Sequence, residues 1–149
     1  MQKDLIDVHL FSDRFSKHSE NFEINTDLLV AEEKNGELIF PITFSDKFLV
    51  TVRTNEKTSL LTSVSIVYAY EKKDTITDKD FLLLKELIEA SVKAFTDYEK
   101  TEDIFIKLSL NKKENIASDM HMHYEKDFYK FSLVSNDVGI YFSASTDRR

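Results

Sequence analysis

The chain is poor in residues that bend or crosslink a backbone: its 149 residues include two glycines, one proline and no cysteine. Average usage would supply about ten glycines and about seven prolines at this length. Gly36 and Gly139 stand far apart, so the glycine-rich loops that hold phosphates in nucleotide and dinucleotide sites are excluded. The lack of cysteine likewise excludes disulfides, zinc–thiolate sites, iron–sulfur clusters and thiol catalysis.

Acidic side chains outnumber basic ones, with 27 Asp and Glu against 20 Lys and Arg and a net charge of −7. A net negative charge disfavours duplex DNA, RNA and anionic membranes as electrostatic partners. The sequence shows no secretory signal and no apolar run long enough for a membrane-spanning helix. We therefore expect one cytoplasmic domain over residues 1–149, with a frayed tail from about residue 146 and with neither a nucleic-acid nor a membrane partner.

Apolar and polar side chains alternate with a period of two along most of the chain, which predicts strands. Asn35-Gly36 is the strongest hairpin signal, because both positions of a type I′ turn need a positive φ. Pro41 has no backbone donor and predicts an edge position or a bulge. Residues 12–21 are polar and predict a loop or a single helical turn. The expected strands are 6–10, 22–30, 38–52 with a kink at Ser45-Asp46, 60–70, 104–110, 116–125, 127–134 and 138–144.

A single segment, about 77–98, has apolar residues at helical spacing. Thr77 is the expected N-cap, and Asp78 suits the positive end of a helix. The expected fold class is therefore α+β: a mostly antiparallel sheet, one principal α-helix over about 77–98 and a C-terminal β-meander. A helix of about twenty residues is about 30 Å long and cannot cover a sheet of about eight strands.

The uncovered sheet surface must then contact a second sheet, another copy of the chain or a client protein. The strand over 60–70 is the expected contact element, with Leu60, Tyr68 and Tyr70 as the predicted binding residues. Tyrosine suits this role because it combines apolar area with a polar tip. An extended partner segment would pair with a sheet edge through its backbone.

A second candidate site is a run of polar residues at alternate positions: Asp119, His121, His123 and Glu125. In a strand these side chains share a face, and two imidazoles with a carboxylate can bind a divalent metal. The alternative is a solvated polar face opposite a buried face of Met120, Met122 and Tyr124. No other feature indicates a cofactor.

The order of elements through residue 99, a short strand, three longer antiparallel strands and a helix, resembles that of SecB-type export chaperones. The resemblance covers about two-thirds of the chain as an order of elements. It implies a cytoplasmic, tetrameric, chaperone-like protein. Residues 74–98 contain no proline, whereas that family carries an aromatic-rich proline segment near its helix.

We therefore expect a non-enzymatic protein-binding module, an adaptor or a chaperone-like protein, that binds another protein or its own copy through an exposed sheet surface. One alternative is a phage or mobile-element inhibitor that blocks a host enzyme through an acidic surface. The other alternative is a metal-dependent enzyme that uses His121 and His123.

Overall fold

The computed structural model of the protein describes residues 6–72, 76–116 and 119–146. Its strands form a seven-stranded antiparallel sheet in the order β1-β2-β3-β4-β7-β6-β5. The expected α+β class is thus confirmed. The helices and strands are α1 Val8–His18, β1 Glu32–Lys34, β2 Glu37–Thr43, β3 Phe48–Asn55, β4 Leu61–Ala69, α2 Asp78–Thr96, α3 Glu102–Lys107, β5 Met120–Lys126, β6 Tyr129–Ser135 and β7 Gly139–Thr146.

The sheet consists of two meanders that join along one central pair of strands. Strands β1 to β4 follow one another as hairpins, as do β5 to β7, and α2 and α3 lie between the two groups in sequence. The meanders meet where β4 pairs with β7, for example at Ile66 and Phe142. The described elements therefore share one continuous sheet, so no second sheet covers its surface.

All three helices cover the same side of this sheet. The Phe15 ring of α1 stacks on Phe44 at 6.1 Å, and the Phe95 ring of α2 meets Tyr129 of β6 at 5.2 Å. In α3, Asp103 accepts a hydrogen bond from the Tyr124 hydroxyl of β5 at 3.0 Å. We call the covered side the helix face and the other side the open face.

The expectation of a strand at 6–10 and of a polar loop at 12–21 is wrong, because both segments contribute to α1. The Asp7 side chain caps this helix and accepts a hydrogen bond from the Leu10 amide at 2.8 Å. Val8, Phe11 and Phe15 recur at helical spacing and are buried, whereas Leu10 is exposed. Helical spacing thus outweighs the short alternation of Ile6, Val8 and Leu10. Because these residues form α1, the first strand of the SecB-like order of elements is absent from this structure.

Two further expected strands are also absent from the described residues. Within 22–30 the chain forms a 3₁₀ turn at Thr26–Leu28, and Leu28 and Val30 point into solvent. Alternation alone does not make a strand where no neighbouring strand supplies hydrogen bonds. Most of the segment 104–110 belongs to α3 or the turn that follows it, where Ile104 and Leu108 are buried one helical turn apart.

The strongest local signals are confirmed. Asn35 and Gly36 both have positive φ, 53° and 82°, in the β1–β2 hairpin. The Thr77 hydroxyl accepts a hydrogen bond from the Asp80 amide at 3.1 Å and so caps α2. Pro41 lies on β2 beyond the three residues that pair with β1, at an edge position as expected.

The expected strand over 38–52 is two strands, β2 and β3. The chain turns at Ser45-Asp46 instead of kinking, because Phe44 and Phe48 pair across a hairpin.

The chain's two glycines differ in what a side chain would meet. A β carbon at Gly139 would collide with the carbonyl oxygen of Tyr68 on the neighbouring strand, whereas Gly36 has open space but a positive φ. We expect Gly139→Ala to lower the free energy of unfolding by about 3 kcal/mol, through overpacking against backbone. Gly36→Ala should cost about 1 kcal/mol for its left-handed backbone. Urea denaturation of both variants tests this; equal losses would contradict it.

Candidate functional site

The predicted binding residues on β4 do not form one exposed surface. Tyr68 is 0% exposed because its position in the alternation places it on the helix face. Its hydroxyl donates a 2.8 Å hydrogen bond to the Asp80 carboxylate. Leu60 and Tyr70 are half-buried, and the Tyr70 hydroxyl lies 3.1 Å from the Ser135 hydroxyl. Tyr68 is therefore not available to a partner in this fold.

The Tyr68 hydroxyl instead belongs to a polar cluster that fixes the start of α2 to the sheet. Asp80 is buried and also accepts a hydrogen bond from the Lys47 ammonium at 3.3 Å. The same ammonium nitrogen lies 3.6 Å from a carboxylate oxygen of Glu71. Burial, followed by the hydrogen bond to Asp80, raises the pKa of Tyr68. The hydrogen bond to Asp80 also raises the pKa of Lys47. The contacts of this cluster indicate a structural role.

The four predicted metal ligands lie on or beside the edge strand β5 without converging. His121, His123 and Glu125 are exposed on the open face, and Asp119 directly precedes the strand. The two imidazole rings are neighbours, with centroids 4.2 Å apart. Asp119 and Glu125 are six residue steps apart, which in extended chain separates their α carbons by about 20 Å. Within the described ranges, no group of three or more histidine or acidic side chains is placed to hold a metal.

The open face is organised into rows that run across the central strands. Leu49, Val67, Tyr141 and Val134 occupy successive register positions on β3, β4, β7 and β6, and we call these four residues the apolar row. Tyr141 is 53% exposed, and the other three are half-buried. The neighbouring row carries only hydroxyl side chains: Thr51, Ser65, Ser143 and Ser132.

The charges on the central strands of this face differ in sign from the net charge of the chain, whereas the outer strands add carboxylates, including Glu125 opposite Lys130. The next row contains Arg53 and Lys130, separated by Ser63 and Ser145. No Asp or Glu lies on β3, β4, β6 or β7 at all, although the chain carries 27 of them. The centre of the open face therefore combines an apolar row, a hydroxyl row and two cations.

A cavity of about 350 Å³ lies on the helix face, between the start of α1, the 3₁₀ segment and strands β2 and β3. Leu29, Leu38 and Phe40 line it together with Val8. Thr54 also lines it and is 1% exposed, and its hydroxyl oxygen has no hydrogen-bond partner among the described residues. Sequence reasoning missed this site. The one feature of the sequence that indicates it is Thr54, a polar residue at a β3 position that faces the helices. The preceding β3 positions on that face carry Phe48, Val50 and Val52.

Glu86 of α2 holds the segment that leads into the cavity wall. Its carboxylate accepts a hydrogen bond from the Ser19 hydroxyl at 2.8 Å. It also accepts one from the backbone N–H of Asn21 at 2.9 Å and one from the side-chain amide of Asn21 at 2.7 Å. Burial acts to raise the pKa of Glu86, but the hydrogen bonds from Asn21 and Ser19 outweigh it, so this pKa lies below its usual value.

No described helix has the length and apolar character that crossing a bilayer requires. Comparison of the chain with protein-family models, with curated proteins and with solved structures finds no match. The functional argument therefore depends on the geometry of this molecule.

The low pKa of Glu86 makes a prediction about pH. Because its folded pKa lies below the unfolded value of 4.5, its carboxylate stabilises the fold above pH 4.5, and this contribution disappears as pH falls through the folded pKa. We expect Glu86→Gln to be less stable than wild type at pH 7 and to approach wild-type stability as the pH falls below 4.5 and through the folded pKa. Urea denaturation over this pH range measures the difference. A gap that persists unchanged at low pH would contradict the assignment.

Proposed function

We propose that this protein is a non-enzymatic binding protein whose open face docks another protein. The observation that carries the proposal is the apolar row on a side of the sheet that no described helix covers. The solvated face of an antiparallel sheet is normally polar along each strand. Four adjacent strands here present an aliphatic or aromatic side chain at the same register, which suits a contact surface.

The charge of Arg53 favours a partner that carries a carboxylate. Arg53 is exposed and has Ile39 and Ser63 as its neighbours in register, whereas Lys130 lies opposite Glu125. A partner with an apolar centre and a carboxylate beside it complements both the apolar row and Arg53. The proposed partner is therefore an acidic protein surface that presents apolar side chains.

The first test places a photocrosslinking amino acid, p-benzoylphenylalanine, at position 141 in cells that produce the protein. The matched control carries it at position 82, because Leu82 is 67% exposed on α2 and lies away from the open face. We expect one dominant crosslinked protein from position 141 and none of that species from position 82. Crosslinks only from position 82, or only to a second copy of the chain, would overturn the proposal.

The second test measures the affinity of the captured protein for two charge variants. Tyr141→Asp places a carboxylate in the apolar row and should weaken binding at least about tenfold, as the loss of a central aromatic contact does. Leu82→Asp makes the same charge change on the helix side and should leave the affinity within about twofold of wild type. Circular dichroism confirms that both variants fold. Equal affinities of the two variants would refute docking through the open face.

A further inference from the structure

We propose that the cavity beside α1 binds a small uncharged molecule with an apolar body and one hydroxyl group, such as a substituted phenol. This site is separate from the proposed protein-docking surface, because Leu38, Phe40 and Thr54 lie in the phase of β2 and β3 that faces the helices. Its failure and the failure of the docking proposal are therefore independent.

The size and walls of the cavity suit a small apolar ligand. Its volume of about 350 Å³ equals that of about twelve water molecules in the liquid and lies within the range of small-molecule sites. Val8 of α1, Leu29 of the 3₁₀ segment and Leu38 and Phe40 of β2 supply apolar walls from three separate elements. A ligand there would bury apolar surface against all three.

Thr54 determines the polar part of the ligand. A buried hydroxyl without a partner costs free energy that an apolar side chain of the same shape would not. The hydroxyl oxygen is shielded in this structure, and rotation about χ1 by about 120° moves it to a neighbouring staggered position, from which it can meet a ligand in the cavity. A ligand hydroxyl that pairs with the Thr54 hydroxyl would satisfy a group that has no partner among the described residues.

The charges around the cavity restrict the ligand further. Among the described residues, Asp7 and His9 are the ionisable ones that line it, and no described Lys or Arg does. Asp7 already accepts the capping hydrogen bond from Leu10. A negatively charged ligand would meet this carboxylate with no Lys or Arg of the described lining to offset it, which favours an uncharged hydroxyl compound.

The test compares two probes of the same shape, p-cresol and toluene, which differ by one hydroxyl group. Each is titrated into ¹⁵N-labelled protein while the amide shifts of Leu29, Leu38 and Thr54 are followed. We expect p-cresol to bind at least tenfold more tightly than toluene. Shifts confined to other residues, or equal affinities of the two probes, would overturn the proposal.

Two variants separate the role of Thr54 from a general change in stability. Thr54→Val keeps the shape and removes the hydroxyl, so the preference for p-cresol should fall to twofold or less. Ser91→Ala removes a second buried hydroxyl that has no partner among the described residues and lies outside the cavity lining, and it should keep the full preference. A preference that survives Thr54→Val would refute the assigned contact.

Leu29→Trp provides a test that does not depend on the stability of Thr54→Val. Leu29 is half-buried in an irregular segment, so a larger side chain can fill the cavity without displacing a strand. We expect this variant to fold and to lose binding of both probes. Unchanged binding of both probes to folded Leu29→Trp would place them outside this cavity and overturn the proposal.

Discussion

The structure depends on the burial of one side of a single antiparallel sheet. On the central strands most of the side chains at alternate positions are apolar and almost wholly buried, as Val50, Ile66 and Phe142 show. Each such side chain stabilises the fold by about 1.5–3 kcal/mol when it leaves water. Because all of these side chains point to one face, all three helices must pack there. The uncovered face is a direct consequence of this one-sided pattern.

Polar contacts then fix where the helices lie on that face. Asp80 ties the start of α2 to Tyr68 of β4 and to Lys47, and Glu86 ties the middle of α2 to the segment after α1. These contacts join elements that are distant in sequence, and their acceptors are carboxylates, so each is stronger than a neutral hydrogen bond. The Glu86 contacts hold the segment that leads into the wall of the cavity beside α1. The open face needs no such support, because the sheet hydrogen bonds alone define its rows.

The parts of the fold that could be predicted are those set by neighbours in sequence. The Asn35-Gly36 turn, the Thr77 cap with the long apolar stripe of α2, and the C-terminal meander all follow from local backbone preferences and side-chain period. The short segments around Val8 and Ile104 were mistaken for strands because a few apolar residues fit both periods. Packing against α2 and β5, and the lack of a neighbouring strand, decided these cases.

The candidate sites show the same division more sharply. The sequence by itself determined which residues share a face of each strand, that the fold combines a mostly antiparallel sheet with a principal helix, and that cysteine and phosphate-loop chemistry are excluded. It did not determine which of the two faces the helices would cover, so Tyr68 was predicted as a contact and Tyr141 was missed. The apolar row arises from the register of four strands, and the cavity from three elements that meet around Thr54. Both depend on contacts between residues far apart in the chain, which only the tertiary structure decides.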